Sequence, residues 1–244
     1  MSPSAVRVSR ETVHRQVFGD RYGLAVRYAE ILATDGVQRG LIGSRESERL
    51  WDRHLLNCAV IAPAVPPGAV VLDVGSGAGL PGLVLAIARP DLTIHLVEPL
   101  LRRATFLTEV VEALELADVQ VVRSRAEDLR ATLSGDVVTA RAVAPLHRLA
   151  GWCLPLVRPG GSLLALKGAR ASAEVAGAAA GLPALGAASW AVELHGVGVV
   201  DPPVRLVRVV RSPRAPGPPA VGPRPSATQR MSRCATPPPP PSRS

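Results

Sequence analysis

Aromatic residues make up only 3% of this 244-residue sequence, and lysine occurs once, as Lys167. So few aromatic rings leave little surface on which nucleobases could stack. No apolar run approaches the ~20 residues that a membrane-spanning helix needs. The first ten residues also lack the apolar segment of a secretory signal. We therefore expect a soluble, cytoplasmic protein with no membrane partner.

Cysteine is also scarce, with only Cys58, Cys153 and Cys234 in the whole chain. Their spacing matches neither a zinc knuckle nor a redox pair. We interpret all three as reduced thiols and predict no metal site. Cys58 and Cys153 fall within apolar patterns and are predicted to be buried.

The net charge of +8 comes entirely from the end of the chain. Eight arginines and no acidic residues follow Asp201, which leaves 20 basic and 20 acidic residues before it. Basic tails attract phosphate polymers without specificity. The net charge alone therefore does not identify a nucleic-acid partner.

Three zones follow one another along the sequence. Residues 1–67 carry apolar residues at helical spacing from about residue 10 onward, and we predict a helical N-terminal extension. Residues 68–211 form the predicted cofactor-binding domain. Residues 212–244 hold 11 of the 24 prolines and almost no large apolar residue. This last zone is predicted to be disordered, because it cannot bury enough apolar surface.

Short apolar runs alternate with helical patterns in the middle zone. The predicted strands are Ala69–Val74, Thr93–Glu98, Val119–Val122, Asp136–Ala140, Ser162–Lys167, Ala191–Val199 and Val204–Val210. The predicted helices are Pro81–Ala88, Leu101–Leu114, Leu146–Leu156 and Ala171–Ala180. This alternation predicts parallel βαβ units. Only Asp201-Pro202-Pro203 separates the last two strands, which predicts a hairpin. The expected fold is α/β and Rossmann-like, with a seven-stranded, mostly parallel sheet and an antiparallel last strand.

A glycine-rich turn follows the first predicted strand and is the strongest motif, Asp73-Val74-Gly75-Ser76-Gly77-Ala78-Gly79-Leu80-Pro81-Gly82. Glycines there allow positive φ and a close approach of a ligand to the backbone. The run from Gly77 to Gly82, with Glu98 about 20 residues later, fits a dinucleotide site. Asp73, however, would repel a pyrophosphate and favour a cationic ligand such as S-adenosylmethionine. A nicotinamide-dependent oxidoreductase remains an alternative, although no catalytic Tyr/Lys or His/Asp pair follows strand four.

The acidic residue before the turn and the acid that ends the second strand resemble the first two motifs of class I methyltransferases. The resemblance implies an S-adenosylmethionine site made of Asp73, Gly75, Gly77, Gly79, Leu80, Glu98, Ala126, Glu127 and Arg141. In that class, the acid at the position of Glu98 accepts hydrogen bonds from both ribose hydroxyls. The polar cluster at 123–128 would frame the adenine; by its composition alone it is an ordinary solvated loop.

Two reaction types are disfavoured by what the sequence lacks. Amino-methyltransferases of nucleic acids carry Asn/Asp-Pro-Pro-aromatic after strand four, where this chain has Thr139–Pro145. Asp201-Pro202-Pro203 imitates that motif but falls in the final hairpin. Cytosine C5 methylation needs a cysteine nucleophile near strands four or five, and Cys153 lies in the middle of a helical pattern.

Five segments together resemble the ribosomal small-subunit methyltransferase G family (glucose-inhibited division protein B) over about residues 20–210: Trp51–Asn57, Gly75–Gly82, Ser124–Glu127, Ala140–Ala142 and Leu166–Gly168. The resemblance implies methylation of N7 of a guanine in the decoding-region loop of 16S rRNA, in the 30S subunit. It also implies that the N-terminal extension, residues 1–67, folds over the site and caps the substrate. The chain departs from the family at Leu41 and its neighbours, where members often carry Asn-Leu-Thr. It also departs at Asn57, where an aspartate is common, and in its proline-rich tail.

Guanine N7 carries an in-plane lone pair, so its methylation needs no general base, and alignment would supply most of the catalysis. The family resemblance places Arg141 beside the cofactor and the base as the catalytic residue. There it could bind the methionyl carboxylate, a phosphate or guanine O6; a strand-end ion pair is the alternative. Arg53, His54 and Lys167 are predicted to contact RNA, with a core-facing His54 and a surface Lys167 as alternatives. A small-molecule methyltransferase and a non-catalytic RNA-binding factor remain as rival functions, and we expect a monomer.

Overall fold

The computed structural model describes residues 9–214, which are built around a seven-stranded sheet. The strands are β1 Val70–Val74, β2 Thr93–Val97, β3 Val119–Val122, β4 Gly135–Arg141, β5 Val157–Lys167, β6 Ala187–His195 and β7 Val204–Arg211. Their order is β3-β2-β1-β4-β5-β7-β6. β1 to β5 pair in parallel, whereas β7 is antiparallel to both of its neighbours. The predicted fold class, including the antiparallel last strand, is confirmed.

The helices of the middle zone are α4 Gly82–Ala88, α5 Leu101–Ala113, α6 Leu146–Cys153 and α7 Ala171–Ala178. Each falls within a predicted helix, and in α5 and α6 the buried residues recur at helical spacing on one face. Most predicted strands agree to within one residue, but two differ by more, and β6 begins at Ala187 rather than at the predicted Ala191. β5 begins five residues early, at Val157 rather than Ser162. β6 ends at His195 because Gly196 and Gly198 turn the chain at φ +74° and +79°. The loop before β7 is therefore longer than the predicted three residues.

The N-terminal region is helical, as predicted. It contains α1 Arg10–Phe18, α2 Tyr22–Ile31 and α3 Leu56–Ala59, with helical turns at Leu32–Gly36, Ser44–Arg49 and Leu50–Leu55. Ser9 caps α1, because its hydroxyl accepts a hydrogen bond of 3.1 Å from the Thr12 amide. The last of these turns is a π-helical stretch that runs directly into α3. The helices of this region pack against α4 and share a hydrophobic cluster with β1 and β2.

Two hydrophobic clusters fill the two faces of the sheet. One contains residues of the N-terminal helices, such as Tyr28 and Leu55, together with Leu83 of α4 and Leu96 of β2. The other joins β4, β5 and β7 to α6 and α7. Cys58 and Cys153 lie fully buried in these clusters, as predicted.

The end of the chain is only partly described. The tail predicted to be disordered, residues 212–244, lies outside the described residues beyond Arg214, and so does Cys234. Among the described helices, none is both long and apolar enough to cross a membrane.

Candidate active site

The turn after β1 has the backbone that its glycines predict. Gly75, Gly77 and Gly79 adopt φ values of +71°, +57° and +97°, in the left-handed region. At Gly79 a Cβ atom would lie 2.7 Å from Leu83 Cγ and 2.9 Å from the Tyr28 hydroxyl. At Gly77 the nearest atom to such a Cβ is the Gly75 carbonyl oxygen, at 3.8 Å. Gly79 is therefore in close contact with Leu83 and Tyr28, whereas the space beside Gly77 is open to a ligand.

Asp73 lies beneath this turn and is fully buried. Its carboxylate accepts hydrogen bonds of 3.1 Å from the Gly82 amide and 3.1 Å from the Thr139 hydroxyl. Burial raises the pKa of Asp73 to about 6, against the lowering effect of these donors. The observed contacts tie the start of α4 and β4 to β1. The predicted cofactor contact of Asp73 stays a prediction.

Glu98 immediately follows β2 and faces the same turn. One carboxylate oxygen accepts from the Gly77 amide at 3.0 Å, and the other accepts from the Leu100 amide at 3.0 Å. Arg103 Nη1 lies 3.9 Å from the first oxygen. Each carboxylate oxygen has two lone pairs, so Glu98 keeps acceptor capacity for a ligand.

A cleft of about 580 Å³ opens at the carboxyl ends of β1, β2 and β4. The predicted site residues that line it are Gly75, Gly77, Leu80, Glu98, Arg141 and His54. Asp73, Gly79, Ala126, Glu127, Arg53 and Lys167 are not among the described lining residues. The cleft therefore brings the glycine-rich turn together with the predicted catalytic arginine, at the ends of parallel strands where ligand sites form.

Arg141 ends β4 and points toward the N-terminal region. One of its terminal nitrogens, Nη2, contacts His54 Nδ1, and the other, Nη1, donates to Cys58 Sγ at 3.3 Å. His54 Nε2 lies 3.1 Å from Glu46 Oε2. Burial, followed by the charge of Arg141, lowers the pKa of His54, whereas burial raises that of Cys58. The residue after Arg141, Ala142, is held at φ +56°, a strained conformation of the kind that clusters at functional sites.

Lys167, predicted to bind RNA phosphate, is occupied within the protein. Its ammonium donates to the Ala144 carbonyl at 2.7 Å and to Glu174 Oε2 at 2.8 Å, with 9% of the side chain exposed. Glu174 also accepts from the Leu146 amide at 3.0 Å. These contacts connect the loop after β4 to α7.

The other predicted residues lie near the cleft without lining it. Arg53 is exposed and 3.5 Å from Glu46 Oε1. Ala126 and Glu127 occupy the helical turn Ala126–Leu129 that follows β3, where the class resemblance places the adenine-framing residues. Ala126 packs into the second hydrophobic cluster.

Several lining residues were missed by the sequence analysis: Leu41, Ile42, Gly43, Glu46 and Arg103. Leu41 to Glu46 belong to a segment that the sequence identifies only as a break between helices. Arg103 sits in the first turns of α5, close behind Glu98, and that proximity was the one available signal. Among residues 9–214 no group of His, Cys, Asp or Glu could hold a metal ion.

The parallel sheet with its antiparallel β7, the glycine turn after β1 and the acid after β2 define a class I methyltransferase. A solved methyltransferase from Pyrococcus furiosus shares this fold with a TM-score of 0.51; it is 14% identical and covers 65% of this chain and 83% of its own. At that level of identity the comparison supports the fold alone.

The family follows from sequence comparison. The family model for rRNA small subunit methyltransferase G matches residues 21–197. The protein of that name from Salinispora arenicola is 61% identical over 215 residues, which cover 83% of this chain and 89% of the relative. The corresponding protein from Streptomyces avermitilis is 61% identical over 80% of this chain and 82% of its own length. This chain belongs to the rRNA small subunit methyltransferase G family. The resemblance is confirmed, and the oxidoreductase and small-molecule alternatives are set aside.

Proposed function

We propose that this chain transfers a methyl group from S-adenosylmethionine to N7 of a guanine in the decoding-region loop of 16S rRNA, with the 30S subunit as its partner. The names of the relatives support a small-subunit rRNA substrate. The observation that carries the choice of N7 is that the three candidate bases lining the cleft, Glu46, Glu98 and His54, are all engaged within the chain. The proposal includes a monomeric protein and a cytoplasmic location, where ribosomal subunits are found.

The residues around the glycine turn fit S-adenosylmethionine. Gly77 offers open backbone, and Glu98 retains lone pairs for ribose hydroxyls. We assign cofactor binding to Gly75, Gly77, Leu80 and Glu98 in the cleft and to Asp73 and Gly79 beneath the turn. The remaining assigned residues are Ala126, Glu127 and Arg141. When bound, S-adenosylmethionine supplies an electrophilic methyl group on a sulfonium centre.

Methylation at N7 requires alignment of the base with the methyl group, but no removal of a proton. Glu98 accepts two backbone amides, and its remaining lone pairs are assigned to the ribose hydroxyls. Glu46 contacts His54, and both ring nitrogens of His54 have partners. A nitrogen that carries a proton would need one of these groups as a base, whereas guanine N7 does not. The chain therefore acts by positioning the base and excluding water, a contribution that can reach about 7–11 kcal/mol.

Arg141 is the catalytic residue of this proposal. Its hydrogen-bond partners, an imidazole and a thiol, are both neutral, so its positive charge is not cancelled by a carboxylate in direct contact. A guanidinium has five donors, and the two contacts leave others free for a ligand. We assign to it hydrogen bonds to the methionyl carboxylate, to an RNA phosphate or to guanine O6.

The RNA contacts of Arg53, His54 and Lys167 stay predictions, and Lys167 would first have to leave Glu174. We additionally assign RNA contacts to Arg45 and Arg49. The last two lie on the turn Ser44–Arg49, next to cleft-lining Gly43 and Glu46, and are exposed. Within residues 9–214 neither has an acidic partner. Exposed arginines without partners suit phosphate binding, because no internal ion pair must be broken.

The test is methyl transfer from labelled S-adenosylmethionine to 30S subunits from cells that lack this gene, followed by mapping of the labelled nucleotide. The expected result is label at N7 of a single guanine in the decoding region. Arg141→Ala should lose transfer while its melting temperature stays near that of the wild type. Label at another atom, or full activity of Arg141→Ala, would overturn the N7 assignment or the role of Arg141, respectively.

A further inference from the structure

Three side chains form a relay from the surface into the cleft: Glu46, His54 and Arg141. Glu46 contacts Nε2 of His54, and Nδ1 of His54 contacts the guanidinium of Arg141. We propose that His54 and Glu46 are positioning residues, which hold Arg141 in its working orientation through one fixed tautomer of His54. This inference rests on the proposed function and replaces a direct RNA contact as the principal role of His54.

The tautomer follows from the donors and acceptors on each side of the ring. A guanidinium only donates hydrogen bonds, so His54 Nδ1 must present a lone pair to Arg141. The proton of the neutral ring must then sit on Nε2, where the carboxylate of Glu46, 3.1 Å away, accepts it. An ionised carboxylate cannot donate, so Glu46 excludes the opposite tautomer. The position of Arg141 thus depends on a carboxylate that does not touch it.

The relay gives Arg141 an anchor that leaves its charge available. Other arginines on the strands of the described chain pair directly with acids, as Arg158 does with Asp136 at 2.8 Å and Arg208 with Glu193 at 2.6 Å. A carboxylate in direct contact with Arg141 would compete with an anionic ligand. The imidazole placed between Glu46 and Arg141 holds the guanidinium in place without this competition.

The local backbone explains how His54 reaches Arg141, which is 87 positions away in sequence. His54 lies on the π-helical stretch Leu50–Leu55, whose wider turns displace side chains from their α-helical positions. Glu46 lies on the preceding turn, Ser44–Arg49. His54 is largely buried, with 14% of its side chain exposed, whereas 37% of Glu46 is exposed. The acid is at the rim of the cleft and the imidazole is inside it.

The experiment compares His54→Phe, His54→Asn and Glu46→Gln with the wild type. Phenylalanine keeps the ring but has no acceptor, whereas the amide oxygen of asparagine can take the place of Nδ1. Glutamine at position 46 can either accept or donate, so it no longer selects a tautomer. His147→Phe, an exposed histidine on α6 outside the cleft, is the matched control.

We expect His54→Phe to lower kcat for 30S methylation by about a hundredfold, which is the effect of a misplacement of about 1 Å. KM for the subunits should change little. His54→Asn should recover most of kcat, Glu46→Gln should be intermediate, and His147→Phe should match the wild type. In ¹⁵N spectra of histidine-labelled wild type, His54 should have a protonated Nε2 and an unprotonated Nδ1. Glu46→Gln should show a mixture of tautomers.

The outcomes separate this inference from the proposed function. Wild-type kcat in His54→Phe, or a rise in KM alone, would overturn the relay and leave the methylation reaction intact. A protonated Nδ1 in the wild type would overturn it as well, even if His54→Phe failed to fold. Wild-type protein without activity on 30S subunits would overturn the proposed function, while the tautomer would still decide whether the relay exists.

Discussion

The hydroxyl group of Tyr28 donates a hydrogen bond of 2.7 Å to the carbonyl oxygen of Ala78, and Tyr28 is fully buried. Tyr28 belongs to α2, and Ala78 lies in the glycine-rich turn after β1. Burial raises the pKa of Tyr28 well above its usual value, so the hydroxyl remains a donor. A helix of the N-terminal region therefore fixes the backbone that is assigned to the cofactor.

Removal of this one hydroxyl should weaken both fold and cofactor binding. Tyr28→Phe leaves the Ala78 carbonyl unsatisfied, which costs about 1–3 kcal/mol. Urea unfolding and S-adenosylmethionine titration measure the two effects. Tyr22→Phe is the control, because in the described chain the Tyr22 ring packs near Trp51 and no hydrogen bond of its hydroxyl is found. Equal losses in both variants would contradict a specific role for the Tyr28 hydroxyl.

The glycines of the turn should separate stability from binding. Gly79→Ala forces a Cβ against Leu83 and the Tyr28 hydroxyl, in addition to strain at positive φ, and should destabilise the fold by about 1–3 kcal/mol.

Gly77→Asp has open space and a residue that tolerates this φ, so the fold should persist. It places a second carboxylate beside Glu98, however, and S-adenosylmethionine binding should be lost. Calorimetric titration and thermal melting check both variants. Gly77→Asn, which has the same shape without the charge, should bind better than Gly77→Asp; equal binding would argue against a charge effect.

Asp73 should make stability depend on pH in an unusual direction. Its folded pKa of about 6 exceeds its ordinary value of 3.8, so the folded state holds the proton more tightly. Stability from this group is therefore full below about pH 4 and declines as pH rises to about 6, by roughly 3 kcal/mol in total. Asp73→Asn removes the titration. The wild-type unfolding free energy minus that of Asp73→Asn should fall between about pH 4 and about pH 7. Parallel curves for the two proteins would show that Asp73 does not titrate in this range.

Arg45 and Arg49 should contribute to RNA binding through charge alone. Replacement of either by alanine removes one phosphate contact and should reduce the slope of log affinity against log salt by about one. Titration of 30S subunits or of the isolated 16S loop at several salt concentrations measures this slope. Arg148→Ala, on α6 outside the cleft, should leave the slope unchanged. An unaltered slope in the Arg45 and Arg49 variants would remove them from the RNA interface.

The sequence predicts the fold well where local pattern and tertiary pairing agree. β3 is found at its predicted bounds, Val119–Val122, because a short apolar run between polar residues leaves no other choice. Pro159 and Gly160 locally favour a loop, and for that reason the sequence predicts that β5 starts only at Ser162. Pairing of Val157 with Gly135 of β4 extends the strand through them. Such pairing depends on residues more than 20 positions away, which no local pattern contains.

The candidate site shows the same division. Glu98 and Gly77 could be placed together from sequence, since neighbouring parallel strands end at one edge. The partners of the charged side chains could not. Arg141 contacts His54 and Cys58, which belong to a helical region far away in sequence. Lys167 forms an ion pair with Glu174. A sequence displays the charge of such residues but not the partner that neutralises or orients them.

The N-terminal helices share one hydrophobic cluster with α4, β1 and β2, and this has a consequence for how RNA is handled. Elements that bury one another unfold together, so the wall formed by these helices cannot swing away as a hinged lid without exposing the core. On the proposed function, the conformational change then falls to the substrate. The ribosomal loop must turn its guanine outward to meet a preformed enzyme, and the cost of that rearrangement is set by the RNA sequence around it.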